Sequence, residues 1–312
     1  MSRSIVVAAA QMGPIARNDS RKQVVDRLLA LLHEAHARGA ELVVFPELTL
    51  TAFFPRWYLT DETEIDSFFE TEMPGQETKP LFDEAARLGI GFYLGYAELV
   101  LLEDGDKKRF NTSILVDRAG AIVGKYRKIH LPGHDRPQPG RDAQHLEKYF
   151  FLPGDLGFPV WRTMDAVMGM CICNDRRWAE TYRVMALKGA EMIVLGYNTP
   201  NDHTGNYDFD GLSEFHHQLS VQAGAYQNAM WVVATAKAGL EEGSQLIGQS
   251  MIVAPSGQIV AMAATTADEV ISARCDLDMA ALYRRTIFDF ARHREPQEYK
   301  LISERKGPVP PD

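Results

Sequence analysis

Short apolar runs that alternate with amphipathic stretches constrain the fold of this chain more than any other feature. Residues 5–11 predict a strand, and residues 23–37 predict a helix that follows the capping residues 18–20. Residues 42–46 predict a second strand that ends at a proline. Later in the chain, predicted strands follow one another with fewer helices between them. This order predicts an α/β fold in which helices cover two sheets, although periodicity alone fits a three-layer arrangement equally well.

The same patterns predict the remaining elements and the domain organisation. Further helices are expected at 78–88, 180–188 and 214–227, a hairpin tip at 103–106, and further strands at 90–96, 112–116, 121–125, 192–195, 231–236, 250–254, 258–262 and 270–275. No linker composition and no internal repeat divides this order. We therefore expect a single domain over residues 1–312, with an extended C-terminal tail from about residue 296.

Composition excludes several classes of function. The 312 residues are 46% hydrophobic, enough for a sizeable core, and carry a formal net charge of −9 without a large basic cluster. Nucleic acid and anionic membranes are therefore not the expected partners. No apolar run approaches the ~20 residues of a membrane span, and the first residues lack a signal-peptide pattern. Three cysteines make no disulfide framework, so we expect a cytoplasmic protein.

A cysteine at the junction of two predicted elements is the first candidate for chemistry. An apolar, strand-like run ends at Cys173, and a charged helix start with Arg176 and Arg177 follows. A helix N-terminus and nearby arginines stabilise a thiolate, so we expect the pKa of Cys173 to be lowered and its thiol to be a nucleophile. A buried, purely structural cysteine is the alternative. That alternative is our interpretation of Cys171 and of Cys275.

Two more reactive side chains also follow predicted strands. Glu47 comes directly after the run 42–46, and Lys128 follows the strand predicted at 121–125. Alone, Glu47 would be interpreted as a cap or surface carboxylate, and Lys128 as part of a solvated basic patch. Open α/β sheets place their sites at strand ends, however, which favours a shared site. A carboxylate in a dry cleft can take a proton from a thiol, and a positioned ammonium can stabilise an oxyanion.

Three motifs around these positions occur together in one known family. They are Phe45-Pro46-Glu47, Tyr126-Arg127-Lys128-Ile129-His130-Leu131 and Ile172-Cys173-Asn174-Asp175-Arg176. In this order the motifs resemble the nitrilase superfamily, and the resemblance extends over nearly the whole chain. Segments 51–57, 130–134, 145–147, 173–178 and 196–200 resemble in particular the N-carbamoyl-D-amino acid amidohydrolases of that superfamily.

The resemblance implies a fold and a catalytic set. The implied fold is a four-layer α-β-β-α sandwich. The implied catalytic set is a Cys-Glu-Lys triad of Cys173, Glu47 and Lys128, together with Glu147 as a second glutamate that orients the lysine and the substrate. The backbone N–H of Asn174 would be the second donor to the oxyanion. Dimers and tetramers are the assemblies that the family implies.

Several polar residues are candidates for binding the substrate. A guanidinium suits a bidentate clamp on a substrate carboxylate, so we expect Arg176 or Arg177 to provide it, the other pairing with Asp175 or Glu180. The residues that can line the pocket around a ureido group are His130, His145, Asn174, Asn198 and Thr199. Of His216 and His217, one is expected to face the core. The histidine spacing is not that of a metal site, so we expect neither a metal nor another cofactor.

These residues predict hydrolysis of an N-carbamoyl-D-amino acid to the D-amino acid, carbon dioxide and ammonia. The preference for D over L comes from the resemblance alone. Within enzymes, the alternatives are a β-ureidopropionase, an aliphatic amidase or a nitrilase. From another class, the alternative is a catalytically silent binding protein on the same fold. The presence of thiol, carboxylate and ammonium together favours the enzyme.

Overall fold

Six strands form the first sheet of this computed structural model, which describes residues 3–141, 143–201 and 211–311. The strands are β1 (Ser4–Gln11), β2 (Leu42–Val44), β3 (Gly91–Leu101), β4 (Lys107–Val116), β5 (Ile122–Arg127) and β14 (Glu269–Asp276). Their order is β14-β1-β2-β3-β4-β5, and β1, β2 and β3 are parallel. Strand β14 pairs antiparallel with β1, and β5 forms the opposite edge.

A second sheet of six strands packs against the first. Its strands are β6 (Val160–Thr163), β7 (Ala166–Ile172), β8 (Met192–Tyr197), β9 (Trp231–Ala236), β12 (Met251–Val253) and β13 (Ile259–Met262). Their order is β13-β12-β9-β8-β7-β6, with β7, β8 and β9 parallel. A separate hairpin consists of β10 (Ala238–Glu241) and β11 (Ser244–Ile247).

Helices cover the outer faces of both sheets. The helices of the described residues are α1 (Arg21–Ala37), α2 (Glu62–Asp66), α3 (Lys79–Leu88), α4 (Glu147–Phe150), α5 (Ala179–Leu187), α6 (Ser213–Asn228), α7 (Asp278–Arg284), α8 (Phe290–His293) and α9 (Lys300–Glu304). Helices α1 and α3 pack on the first sheet, and α5 and α6 pack on the second. Because side chains alternate along a strand, Val7 of β1 faces the second sheet while Ala8 faces α1. The four-layer α-β-β-α sandwich is therefore confirmed.

Most predicted elements are confirmed, with several differences. Strand β6 and the β10–β11 hairpin were not predicted, because their short sequences lack clear alternation. The helices α2, α4, α7 and α8 were not predicted either, because four to seven residues are too few to show a helical period. The prediction that a helix begins directly after Cys173 is wrong. Residues Cys173–Arg177 form a 3₁₀ turn, and α5 begins only at Ala179. The C-terminal tail is partly helical rather than extended, with a turn at Pro296–Tyr299 followed by α9. Among the residues described, no helix is long and apolar enough to cross a membrane.

Two glycines let the sheets close tightly around Glu47. A Cβ atom on Gly196 of β8 would lie 2.3 Å from the backbone nitrogen of Glu47, and one on Gly95 of β3 would lie 2.8 Å from its Cα. Between the sheets, the Tyr93 hydroxyl donates to the carbonyl of Cys171 at 3.2 Å and accepts from the Gly196 N–H at 3.1 Å. These contacts hold the ends of β2, β7 and β8 together.

Candidate active site

Glu47 follows β2 and is fully buried between the sheets. Its Oε1 accepts hydrogen bonds from Lys128 Nζ at 2.7 Å and from Asn111 Nδ2 at 2.8 Å. Its Oε2 accepts from the backbone N–H of Asn198 at 2.9 Å. Burial raises the pKa of Glu47, and the charge of Glu147 adds to this, while Lys128 opposes it. A fixed carboxylate with a raised pKa is suited to accept and return a proton.

Lys128 lies between two carboxylates. Its ammonium donates to Glu47 at 2.7 Å and to Glu147, at the start of α4, at 2.6 Å, and all three side chains are buried. Burial alone would lower the pKa of Lys128, but the charges around it outweigh burial and raise that pKa above its ordinary value. Burial would likewise raise the pKa of Glu147, but Lys128 and His145 hold it below its ordinary value. The lysine therefore stays charged.

Cys173 directly follows β7 in a strained backbone conformation, with a φ of 47°. Its thiol is buried, and Sγ donates to the carbonyl of Asn198 at 3.7 Å. Burial raises the pKa of this thiol, and so does the nearby charge of Glu47, against the opposing charges of Lys128 and Arg176. The expectation of a lowered thiol pKa is therefore wrong. Without an α-helix start, the arginine charge does not outweigh desolvation, so the thiol is favoured in its neutral form.

The two adjacent arginines occupy different environments. Arg176 is buried and donates to the Cys173 carbonyl at 2.7 Å, to Thr199 Oγ1 at 2.9 Å and to His217 Nδ1 at 3.0 Å. Arg177 is exposed and lines the cavity beside Cys173. Within the described part of the chain, Arg177 has no hydrogen bond or ion pair. The pairings considered for these arginines with Asp175 and Glu180 do not occur.

The thiol opens into a cavity of about 280 Å³. Its lining includes His145, Asn174, Arg177, Asn198 and Thr199. A second cavity of about 300 Å³ shares Gly133, His145 and Pro200 with the first, so the two are neighbours. The other side chains around it include Phe53, Arg56, Arg141, Leu240 and Leu246. Among the residues that the structure describes, no aspartate or glutamate lines either cavity.

His130 does not line these cavities. Its Nδ1 donates to Asp175 at 2.8 Å, and its ring stacks on Trp178 with centroids 4.8 Å apart. The structure therefore brings His130 to neither cavity, and its Nδ1 is already bonded to Asp175; contact with a substrate stays a prediction. His217 faces the core, as expected for one of the two histidines on α6. Burial lowers its pKa far below the ordinary value.

Sequence patterns missed two polar residues of the site. Asn111 on β4 donates to Glu47, and Asp175 connects the Cys173 turn to His130. The position of Asn111 just before a predicted strand gives no signal, because its partner lies 64 residues earlier in the chain. Among residues 3–141, 143–201 and 211–311, no group of three or more metal-ligating side chains is arranged to hold a metal ion.

Known proteins resemble this chain in sequence and in fold. The sequence model of the carbon–nitrogen hydrolase family matches residues 6–285. A nitrilase from Pyrococcus abyssi is 32% identical over 88% of this chain and 90% of its own length. An N-carbamoylputrescine amidase from Solanum lycopersicum is 31% identical over 99% of this chain and 98% of its own. A solved carbon–nitrogen hydrolase from Helicobacter pylori G27 has a TM-score of 0.81 at 23% identity, covering 97% of this chain and 99% of that one. The last match bears on the fold alone.

Proposed function

We propose a substrate from the premise that this chain belongs to the carbon–nitrogen hydrolase family, within the nitrilase superfamily, and is an amidohydrolase. The proposed reaction converts an N-carbamoyl-D-amino acid to the D-amino acid, carbon dioxide and ammonia. Cys173 is the nucleophile, Glu47 the general base and Lys128 the oxyanion stabiliser. Glu147 orients the lysine, to which it is bonded at 2.6 Å.

The unpaired guanidinium of Arg177 is the observation that carries this proposal. Arg177 lines the cavity next to the thiol, and although solvent reaches its side chain, partial desolvation by the surrounding protein together with repulsion from Arg176 lowers its pKa to about 10. A cation without a partner favours an anionic ligand, and a guanidinium matches a carboxylate with two parallel hydrogen bonds. We therefore assign the carboxylate clamp to Arg177, with Arg176 holding the Cys173 turn from within the protein.

Unpaired acceptors next to the thiol support a ureido group. Asn198 Nδ2 donates to the carbonyl of Glu47 at 2.8 Å, so its Oδ1 must point elsewhere; that atom is buried without a hydrogen-bond partner. Glu147 Oε1 is likewise buried without a hydrogen-bond partner, 3.6 Å from His145 Nε2. Buried acceptors without donors are costly, which favours a ligand that brings N–H groups. A ureido group brings three, one more than a primary amide.

The mechanism follows from these positions. Glu47 takes the thiol proton, and the sulfur of Cys173 attacks the ureido carbon. Lys128 and the backbone N–H of Asn174 stabilise the oxyanion. The C–N bond to the terminal nitrogen breaks, and ammonia leaves with the proton from Glu47. Glu47 then activates a water that displaces the sulfur, which restores the thiol. The released N-carboxy amino acid loses carbon dioxide.

The alternatives differ in the charge of the substrate. An N-carbamoyl amine with a cationic tail, such as the N-carbamoylputrescine named for the Solanum lycopersicum relative, would meet no carboxylate among the described residues that line the two cavities. A simple amide or nitrile would leave Arg177 unpaired, and a nitrile, which has no N–H group, would also leave the Asn198 oxygen unpaired. A β-ureidopropionase substrate carries the same two groups and differs in the spacing between them. A silent binding protein would not need the neutral thiol beside a base.

Ammonia release tests the proposal most directly. We expect release from N-carbamoyl-D-amino acids, slower release from the L-enantiomers, and little from N-carbamoylputrescine or an aliphatic amide. N-carbamoyl-β-alanine distinguishes the β-ureidopropionase alternative. Turnover of N-carbamoylputrescine above that of every N-carbamoyl amino acid would reject the proposed substrate class. No release from any of these compounds, with a thiol that resists alkylation, would favour the silent binding protein.

We also propose that the protein acts as a homo-oligomer, a dimer or tetramer, in the cytoplasm. Large apolar side chains are exposed on the outer helices, including Leu187 of α5 and Phe215 and Leu219 of α6. Clustered exposed apolar side chains favour burial against another copy. Light scattering on the purified chain should give a mass of two or four protomers, and a monomer at micromolar concentration would reject this part of the proposal.

A further inference from the structure

The buried carboxylate of Asp175 accepts four hydrogen bonds. Its Oδ1 accepts from the backbone N–H of His130 at 2.9 Å and from His130 Nδ1 at 2.8 Å. Its Oδ2 accepts from the Tyr126 hydroxyl at 2.7 Å and from the backbone N–H of Ile172 at 3.1 Å. The side chain is fully buried, and no lysine or arginine pairs with it in the described part of the chain. Such a carboxylate is held by its neighbours, and it holds them in turn.

These four bonds bracket two of the proposed reacting groups. Tyr126 and His130 lie two residues before and two residues after Lys128, while Ile172 directly precedes Cys173. Lys128 follows β5 of the first sheet, and Cys173 follows β7 of the second. We propose that Asp175 is a positioning residue, whose carboxylate fixes the Lys128 ammonium and the Cys173 thiol relative to each other across the two sheets. This inference rests on the roles proposed above for Lys128 and Cys173.

The Asp175 carboxylate also holds the strained backbone conformation of Cys173. A non-glycine residue at a φ of 47° is strained, and this conformation persists only where its surroundings impose it. The surroundings here are two hydrogen bonds, one on each side of the strained residue. Asp175 accepts from Ile172, and Arg176 donates to the Cys173 carbonyl at 2.7 Å. Without the Asp175 bond, the turn would be free to relax, and the thiol would move away from Glu47 and Lys128.

His130 belongs to the same hydrogen-bond network as Asp175. Its ring stacks on Trp178 with centroids 4.8 Å apart and on Phe158 at 6.0 Å, which fixes the ring plane toward Asp175. Its carbonyl accepts a further bond from Asn174 Nδ2 at 3.0 Å. The Lys128 and Cys173 segments are therefore joined twice. In this arrangement His130 acts on the site through Asp175 and Asn174 without lining the cavity.

Asp175→Asn tests the proposal with little change in volume. The new amide must direct N–H groups at one of two sites already filled by donors, and the backbone N–H groups of His130 and Ile172 cannot reverse. We expect kcat to fall roughly 10- to 100-fold, the effect of misplacing reacting groups by about 1 Å, with KM changed less than about threefold. The rate of Cys173 alkylation by iodoacetamide, followed by peptide mass, should fall in parallel, because it needs the thiol but no substrate.

Two further variants separate positioning from a general structural role. Tyr126→Phe removes one bond and should lower kcat by a smaller factor, but should have no further effect in the Asp175→Asn protein. Asp117→Asn is the matched control. Asp117 accepts the backbone N–H groups of Ala119 and Ala121 at 2.9 and 3.0 Å, at the end of the β4–β5 hairpin away from Lys128. It should lower the melting temperature without changing kcat or alkylation.

Three results would overturn the proposal. Wild-type kcat and alkylation in folded Asp175→Asn would do so, and so would a rise in KM with kcat unchanged. If Asp175→Asn does not fold, Tyr126→Phe decides: unchanged kcat and alkylation would reject positioning. Because alkylation is independent of the substrate, slowed alkylation together with no ureido hydrolysis would support the positioning role and reject only the proposed substrate.

Discussion

The protein contains two clusters of three buried charged side chains. The Glu47 cluster consists of Glu47, Lys128 and Glu147 and holds two carboxylates and one cation. The Glu241 cluster consists of Arg56, Lys237 and Glu241 and holds one carboxylate and two cations. All six side chains are almost completely inaccessible.

The two clusters differ in how their oxygen atoms are satisfied. Glu241 accepts bonds from Arg56, Lys237 and the backbone N–H groups of Phe53 and Ile15, so that neither oxygen is unpaired. Lys237 also donates to the carbonyl of Thr51 at 2.9 Å. This cluster joins the β10–β11 hairpin to the segment after Glu47, which is a structural role. In a network of this kind both carboxylate oxygens already have donors, so neither oxygen is available to bind a ligand.

The Glu47 cluster, by contrast, is left incomplete. Glu147 Oε1 has no hydrogen-bond partner, and the cluster lies beside the cavity that reaches Cys173. Burial raises the pKa of Glu47, whereas in the other cluster Lys237 and Arg56 outweigh burial and lower the pKa of Glu241. Buried charge alone therefore does not mark a site. An unpaired acceptor and a carboxylate with a raised pKa distinguish the cluster that is suited to chemistry.

The largest expected effect is that of removing the Cys173 thiol, which is the proposed nucleophile. Cys173→Ala should lower kcat by at least about 10⁴-fold with the fold intact, because no covalent intermediate can form. Cys171→Ala is the matched control, because Cys171 is also buried and lies two residues earlier, on β7. This variant should retain most of the activity. Rates and circular dichroism should be measured for both. Turnover by Cys173→Ala near the wild-type rate would remove the nucleophile assignment.

Replacing one carboxylate in each cluster should separate an effect on stability from an effect on activity. Glu241→Gln leaves two buried cations without a charge partner and should destabilise the protein by roughly 3–5 kcal/mol while the remaining folded protein stays active. Glu47→Gln should lose activity but much less stability, because the buried charge of Glu47 is itself costly. Urea denaturation and kcat give both values. Equal losses of stability in the two variants would contradict the distinction.

The pH dependence of these variants should have opposite signs. Glu241 has a folded pKa below the ordinary 4.5, so its charge stabilises the fold above pH 4.5 and that stability is lost as pH falls. Glu47 has a folded pKa above 4.5, so its protonated form stabilises the fold, and this contribution is lost as pH rises. The stability gap between wild type and Glu241→Gln should therefore shrink on acidification from pH 7 to pH 4. For Glu47→Gln, stability relative to wild type should improve between pH 4 and pH 7.

Sequence could predict one of these clusters and not the other. Glu47 and Lys128 each follow a predicted strand, and motif spacing set them in one site. Arg56 and Glu241 lie 185 residues apart, and neither follows a strong pattern. The raised thiol pKa was also beyond the sequence, because burial and the charge of Glu47 are properties of the packed sheets. Local patterns predict elements and strand ends, whereas desolvation depends on contacts distant in the chain.

The carboxylate clamp should give a smaller effect that depends on the substrate. Arg177→Lys loses the planar fork, and kcat/KM for an N-carbamoyl amino acid should fall by about 2–5 kcal/mol, roughly 30-fold or more. The corresponding amide, which lacks the carboxylate, should barely change. Arg176→Lys should lower kcat/KM equally for the acid and for the amide, because Arg176 donates to the Cys173 carbonyl rather than to the substrate. Equal losses for acid and amide in both variants would reject the clamp.

The smallest expected effect is that of metal removal. In the Glu47 cluster the Lys128 ammonium already lies between the two carboxylates, at 2.7 and 2.6 Å, where a divalent cation would otherwise be needed to neutralise them. Its positive charge is also the one proposed to stabilise the oxyanion, so no Lewis acid is required. Prolonged dialysis against a chelator should leave kcat within error of the untreated protein. Iodoacetamide should abolish activity in the same preparation, which controls for the assay. A chelator-induced loss that zinc restores would show that the ammonium does not suffice, and the Glu47 cluster would have to be reassigned as a metal site.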